Sequence, residues 1–136
     1  MPTASAAVLT ALIAWALLLL VWMEVLRSRL VLAGTVAANA FAPDNAGLSP
    51  FMQRLARAQA NCIEGLPIFG GLLVVALVTE RAGLTDPLAP WLLGARLAQS
   101  LIHLASTSVV AVNLRFLAFA VQLVIALCWA WMLLAI

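Results

Sequence analysis

Eighteen residues from Ala6 to Met23 carry no charge, and only Thr10 interrupts their apolar run. At about 1.5 Å of rise per residue, a helix of that length is about 27 Å long, close to the roughly 30 Å hydrocarbon core of a bilayer. Backbone groups in lipid must be satisfied within the protein, so a run like this one folds as a helix. The rest of the chain has the same character, since 66% of its 136 residues are apolar and 9% are charged. So little charge cannot cover a soluble domain of this size, which keeps a large share of its surface in water. The expected fold is a single all-α membrane domain covering residues 1–136. A cleaved export signal would place positive residues ahead of a shorter apolar core. Here none precedes Ala6, and Glu24, Arg27 and Arg29 follow Met23 directly, so the first segment reads as a retained span.

The hydropathy pattern predicts a bundle of four transmembrane helices. The first covers about Ser5 to Leu30, and a loop follows that is punctuated by Pro43, Asp44, Asn45, Gly47 and Ser49. Ser49-Pro50 is a helix start, with a side-chain cap followed by a proline in the first turn. The second helix runs to Val78, with a polar half up to Glu64 and an apolar half from Leu66; Pro67 is expected to kink it and free a carbonyl. A short loop containing Glu80, Arg81, Gly83, Asp86 and Pro87 leads to a third helix over Leu88–Val112. The fourth runs from Leu114 to Ile136, and Gln122 is the lone polar residue in its middle. Arg27, Arg29, Arg54 and Arg57 flank the first connection, and Arg115 follows the third. Positive residues stay cytoplasmic, so the first and third loops are expected there, with both termini outside and the protein in a bacterial-type inner membrane.

Ionisable groups inside these segments are costly unless they face a bundle interior, a partner or a ligand. Arg57, Asn61 and Glu64 fall at i, i+4 and i+7 and share one helix face, with Arg54 a turn earlier. Arg96, Gln99 and His103 repeat that spacing on the third helix, and Ser100, Ser106 and Thr107 add hydroxyls. Arg57, Arg96 and Arg115, with Arg27 or Arg29 as a fourth, outnumber the single carboxylate at membrane depth, Glu64. That surplus suits a small anion, because a guanidinium grips a carboxylate through paired hydrogen bonds. The plainer alternative pairs Glu64 with Arg96 and uses Asn61 and Gln99 to tie helices together. His103 serves on either account, as a ligand contact or an interhelical tether.

Other classes of function lack a basis. The net charge is +2 with no Lys, so there is no basic face for nucleic acid. The side chains that ligate metals do not cluster at ligand spacing. Cys62 and Cys128 lie in separate apolar segments and read as packing residues. Trp15, Trp22, Trp91, Trp129 and Trp131 are expected at the interfaces or facing lipid.

Residues 57–67, RAQANCIEGLP, closely resemble the signature of the MAPEG family, the membrane-associated proteins of eicosanoid and glutathione metabolism. The run is most similar to that of the leukotriene-C synthase and microsomal glutathione transferase members. The resemblance implies a homotrimer in lipid that binds glutathione between subunits and joins its thiolate to a lipophilic electrophile, or reduces a peroxide. It implies that Arg57 grips a glutathione carboxylate, while Asn61 and Glu64 hold the peptide and its ammonium. Gln59 matches a ligand-facing position. Arg96, Gln99 and His103 match third-helix contacts, Arg27 or Arg29 a first-helix contact, and Arg115 the group that stabilises the thiolate. The chain departs from the family pattern in having no Tyr; Gln99 and His103 stand where many members carry Tyr or His.

Two other functions fit the same residues. One is a trimeric scaffold or lipid-binding protein of this fold without catalysis. The other is a small-anion transporter, for which the chain offers neither an internal repeat nor enough acidic groups for a proton relay.

Overall fold

A computed structural model describes residues 3–135, which form four α-helices. These are α1 (Ala4–Leu32), α2 (Pro50–Val78), α3 (Ala89–Ala105) and α4 (Val109–Leu134); a 3-10 turn over Ala82–Leu84 precedes α3. Hydroxyl caps start three of them. Thr3 accepts from the Ala6 amide at 3.1 Å, Ser49 from Met52 at 3.2 Å and Ser108 from Ala111 at 3.2 Å. Each bond satisfies one of the amides that a helix start leaves without an intrahelical partner.

Long-range hydrogen bonds establish that the helices alternate in direction. Arg54 Nε, early in α2, donates to the Leu104 carbonyl at the end of α3 at 2.8 Å. At the opposite end, Arg81 donates to the Met132 and Leu133 carbonyls at 2.8 and 2.9 Å, holding the last turn of α4. The Asp86 carboxylate accepts from both the amide and the hydroxyl of Ser5, at 2.8 and 2.6 Å, and so ties the first turn of α1 to the start of α3. One end of the bundle therefore holds the starts of α2 and α4 and the end of α3. The other holds the starts of α1 and α3 and the ends of α2 and α4.

The apolar core has two parts. Val8, Leu12, Phe69, Leu73, Leu92, Ile125 and Trp129 pack together toward the end where α1 begins. Ala16, Leu19, Met23, Leu55, Ala58 and Cys62 form the seam of α1 on α2 toward the other end. The buried positions of α1 (Ser5, Val8, Leu12, Ala16, Leu19 and Met23) recur every three or four residues, so one stripe faces protein. The remaining faces are left to lipid, and Leu17, Val21, Leu117 and Val124 are exposed on them.

Several expectations are corrected. Among the described residues three helices, not four, are long and apolar enough to cross a membrane: α1, α2 and α4. The 17 residues of α3 end at Ala105 rather than Val112, and its buried face carries Arg96, Gln99 and His103. The cause lies in the run Ser106-Thr107-Ser108, where hydroxyls compete for the backbone. Ser106 is extended, its Oγ accepts from the Ser108 amide at 3.0 Å, and Ser108 caps a new helix at Val109. Ser106 and Thr107 are thus connection residues, and Arg115 lies inside α4 rather than opening it. Helix α4 ends at Leu134, and Ile136 lies outside the described residues. Trp129 is fully buried in the core, whereas Trp91 and Trp131 are exposed.

Candidate functional site

Helices α2, α3 and α4 leave two adjoining cavities that open on the outer surface of the bundle. One, of about 280 Å³, is lined by Asn61, Gln99, Arg115 and Phe119 among others. Its neighbour, about 250 Å³, shares Asn61, Gln99 and Phe119 and adds Glu64, Arg96 and Phe69. Either alone is slightly smaller than the roughly 300 Å³ at which small-molecule sites usually begin. The two share three lining residues, Asn61, Gln99 and Phe119, and are described together as the trough.

The trough depends on a glycine. Any Cβ at Gly65 would collide with Arg96 Nη2 and lie 3.1–3.2 Å from the Phe69 ring. With hydrogen there instead, the Arg96 side chain passes between α2 and α3. It lies 5.4 Å from the Phe69 ring centroid and donates from Nη1 to the Asn61 carbonyl at 3.4 Å. The contact with the aromatic face supports the cation without neutralising it.

Three polar side chains are linked through the middle of the site. Arg115 Nη1 lies 2.6 Å from His103 Nε2, and His103 Nδ1 lies 3.2 Å from the Asn61 side-chain nitrogen. Deeper in the bundle, Gln122 Nε2 donates to Gln99 Oε1 at 2.8 Å and to the Ala118 carbonyl at 3.1 Å. That second pair leaves the Gln99 amino group available to the cavity. Cys62 Sγ lies 3.3 Å from Ser100 Oγ in the adjacent interior, in keeping with a packing role.

Charge is left over. Among the described residues the one ion pair is Arg27 with Glu24, 3.8 Å apart at the end of α1. The alternative pairing of Glu64 with Arg96 is therefore absent, although both line the same cavity. Among the described residues, Arg57 and Glu64 are exposed on α2 with no hydrogen-bonded side-chain partner, and Arg115 is half-buried with His103 as its one side-chain partner.

The structure thus brings Asn61, Glu64, Arg96, Gln99 and Arg115 into the lining of the two cavities, with His103 behind them, bonded to Arg115 and Asn61, and Arg57 a turn from Asn61 on the same helix but outside the lining. It does not bring Arg29, which is exposed at the end of α1, or Gln59, into the lining of either cavity. Arg27 is occupied elsewhere: it donates to Asn45 Oδ1 from Nε at 2.9 Å and from Nη2 at 2.6 Å, and to the Ala42 carbonyl at 3.1 Å. Arg54, placed by spacing on the Arg57 face, instead reaches back to α3. Sequence reasoning missed Gln122 as a neighbour of the site; the signal was a lone amide in an otherwise apolar helix. Phe119 and Phe69 carried no signal, because aromatic residues in a membrane helix are ordinary.

Fold and site together define an integral membrane helical bundle with a guanidinium-rich trough open to its flank. The chain belongs to the MAPEG family, whose model matches residues 5–135. A comparison with curated proteins finds no match.

Proposed function

We propose that this chain is a membrane-embedded glutathione transferase that acts on lipophilic electrophiles, with glutathione-dependent peroxide reduction as an allied activity. The observation that carries the reading is the charge balance of the trough. Arg57, Arg96 and Arg115 have no carboxylate partner among the described residues, and Glu64 has no cation. Glutathione fits that donor set, having two carboxylates for guanidinium groups and one ammonium for Glu64. Its chemical contribution is a sulfur nucleophile. On this reading Arg57 and Arg96 hold the carboxylates, Glu64 holds the ammonium, and Asn61 and Gln99 donate to the peptide. Arg115 sits beside the sulfur and favours its ionised form by charge, because a nearby cation lowers a thiol pKa.

Arg57 and Glu64 face outward, so a second subunit is needed to complete the pocket, and a homotrimer supplies one. Lateral opening lets an apolar acceptor arrive from lipid. On this reading the first and third connections face the cytoplasm, where glutathione is met, and both termini face the other side; the arginine distribution supports that orientation.

A titration of the detergent-solubilised protein with glutathione, read by thermal shift, tests this reading. Binding should raise the melting temperature, and Arg57→Ala and Glu64→Ala should each weaken affinity at least about tenfold, the loss of about 1.4 kcal/mol. Unchanged affinity in both variants rules the site out. The absence of Tyr supports a second reading, a catalytically silent trimeric scaffold or lipid-binding protein. A scaffold would show no thermal shift and no turnover of a chlorinated nitrobenzene, and Glu64→Ala would impair assembly alone.

A further inference from the structure

We infer that His103 is the positioning residue for Arg115: a neutral imidazole acceptor that fixes the guanidinium at the trough without cancelling its charge. The inference deepens the proposed function and rests on it for its consequence, but the geometry stands by itself. Arg115 Nη1 approaches His103 Nε2 at 2.6 Å, and a guanidinium has only N–H groups to offer. Nε2 must therefore present its lone pair. A ring with Nε2 bare is neutral and carries its one proton on Nδ1.

The assignment propagates. Nδ1–H faces the Asn61 side-chain amide at 3.2 Å, and two donors cannot bond. Amide oxygen and nitrogen are distinguished by their hydrogen-bonding partners rather than by shape. Asn61 is accordingly assigned with Oδ1 toward His103 and its amino group toward the cavity. The result is a directed chain in which Arg115 donates to His103, His103 to Asn61, and Asn61 to the trough. Each bond polarises the next in the same sense. Gln122 imposes the same polarity on Gln99 by occupying its oxygen. Apart from the Glu64 carboxylate, the wall of polar side chains presents N–H groups to a guest.

The choice of partner has an electrostatic reason. A carboxylate beside Arg115 would hold it as firmly but would neutralise the charge that an anionic guest requires. A neutral imidazole supplies the geometry and leaves the full positive charge. His103 is buried, 2% exposed, between α2 and α4, so the acceptor is held rigidly by its surroundings.

The chain has a single histidine, so labelling with 15N-histidine reports on this ring alone. In detergent at neutral pH the ring nitrogens should read as the neutral Nδ1–H form. An Nε2–H form or an imidazolium would overturn the assignment. In Arg115→Ala the constraint is gone, and the proton should redistribute toward Nε2; an unchanged spectrum would also overturn it.

Affinity for glutathione supplies the second arm. In His103→Gln, where an amide oxygen restores the acceptor, affinity should remain within about threefold of the parent. His103→Phe should weaken it about tenfold, or about 1.4 kcal/mol. His103→Glu holds Arg115 but neutralises it, and should bind as weakly as the phenylalanine variant. Binding by His103→Glu as tight as by His103→Gln would overturn the charge-sparing role. If the parent protein shows the Nδ1–H ring yet binds no glutathione, the positioning assignment survives and the proposed function falls.

Discussion

Two sets of arginines in this small bundle are used in opposite ways. Arg27, Arg54 and Arg81 give their N–H groups to the chain itself: to the first connection, to the last turn of α3 and to the last turn of α4. Each satisfies carbonyl or amide oxygens that would otherwise be left short of donors at the helix ends and in the connection. Arg96 and Arg115 line the trough, Arg57 lies a turn beyond it on α2, and all three make few such bonds, with aromatic rings, an imidazole or the open surface beside them. The first set closes the backbone's hydrogen-bond account and the second leaves charge open. Burial does not separate them, since Arg96 is the most enclosed of all. Partnership does, and it separates residues that fasten the fold from residues whose charge is left unpaired.

The sharpest test of this contrast is a crossover between one member of each set. Arg115→Ala should lower kcat/KM for glutathione conjugation about a hundredfold, as loss of a charge-stabilising donor does elsewhere, with little change in melting temperature. Arg81→Ala should do the reverse. It removes two charged hydrogen bonds to α4 carbonyls, each typically worth about 1.5–3 kcal/mol, and should lower thermal stability while leaving the activity of the remaining folded protein near the parent value. Equal loss of stability in both variants would erase the distinction.

Gly65→Ala probes the meeting of the two roles. The added methyl overlaps Arg96 Nη2 and crowds the Phe69 ring, so either the guanidinium or the ring must move. Overpacking of this kind costs about 1–3 kcal/mol. Because Arg96 is a flexible side chain, part of the strain should be relieved by its displacement into the trough. Stability and glutathione affinity should therefore fall together, measured by thermal melting and by titration. A stability loss with affinity intact would mean that Arg96 does not contact the guest.

Much of the architecture is legible in the residues because lipid restricts what they can do. Apolar length sets α1, α2 and α4, Ser49-Pro50 marks a helix start, and the i, i+4, i+7 spacing of Arg57, Asn61 and Glu64 places them on one helix. What escapes is decided by short-range competition or by packing between helices. The break at Ser106–Ser108 falls where three hydroxyls outbid an apolar pattern that would have carried the helix on to Val112. Arg27 cannot be told from Arg29 by position, since their difference lies in Asn45, sixteen or more residues away. Nor does spacing reveal that His103 meets Arg115, because that contact depends on the angle at which α3 and α4 cross. The trough's inventory was readable, but its wiring was not.

The smallest expected effects on glutathione affinity lie at and beside the first connection, remote from the trough. Asn45 is buried with a φ of 58°; its side chain accepts from Arg27 and donates to the Met52 carbonyl at 2.7 Å. Asn45→Gly tolerates that backbone but loses all three side-chain bonds, which should cost about 1–3 kcal/mol for the polar groups left behind. Asn45→Ala loses the same bonds and adds left-handed strain, so it should melt lower than Asn45→Gly. Glu24→Gln completes the series. Its pairing with Arg27 spans 3.8 Å at an exposed site, and exposed pairs one helical turn apart contribute about 0.3–0.5 kcal/mol. Arg27 keeps its bonds to Asn45 in that variant, so neither melting temperature nor glutathione affinity should move measurably. A clear drop in either would mean that Arg27 depends on Glu24 for its orientation, and would place the first connection within reach of the guest after all.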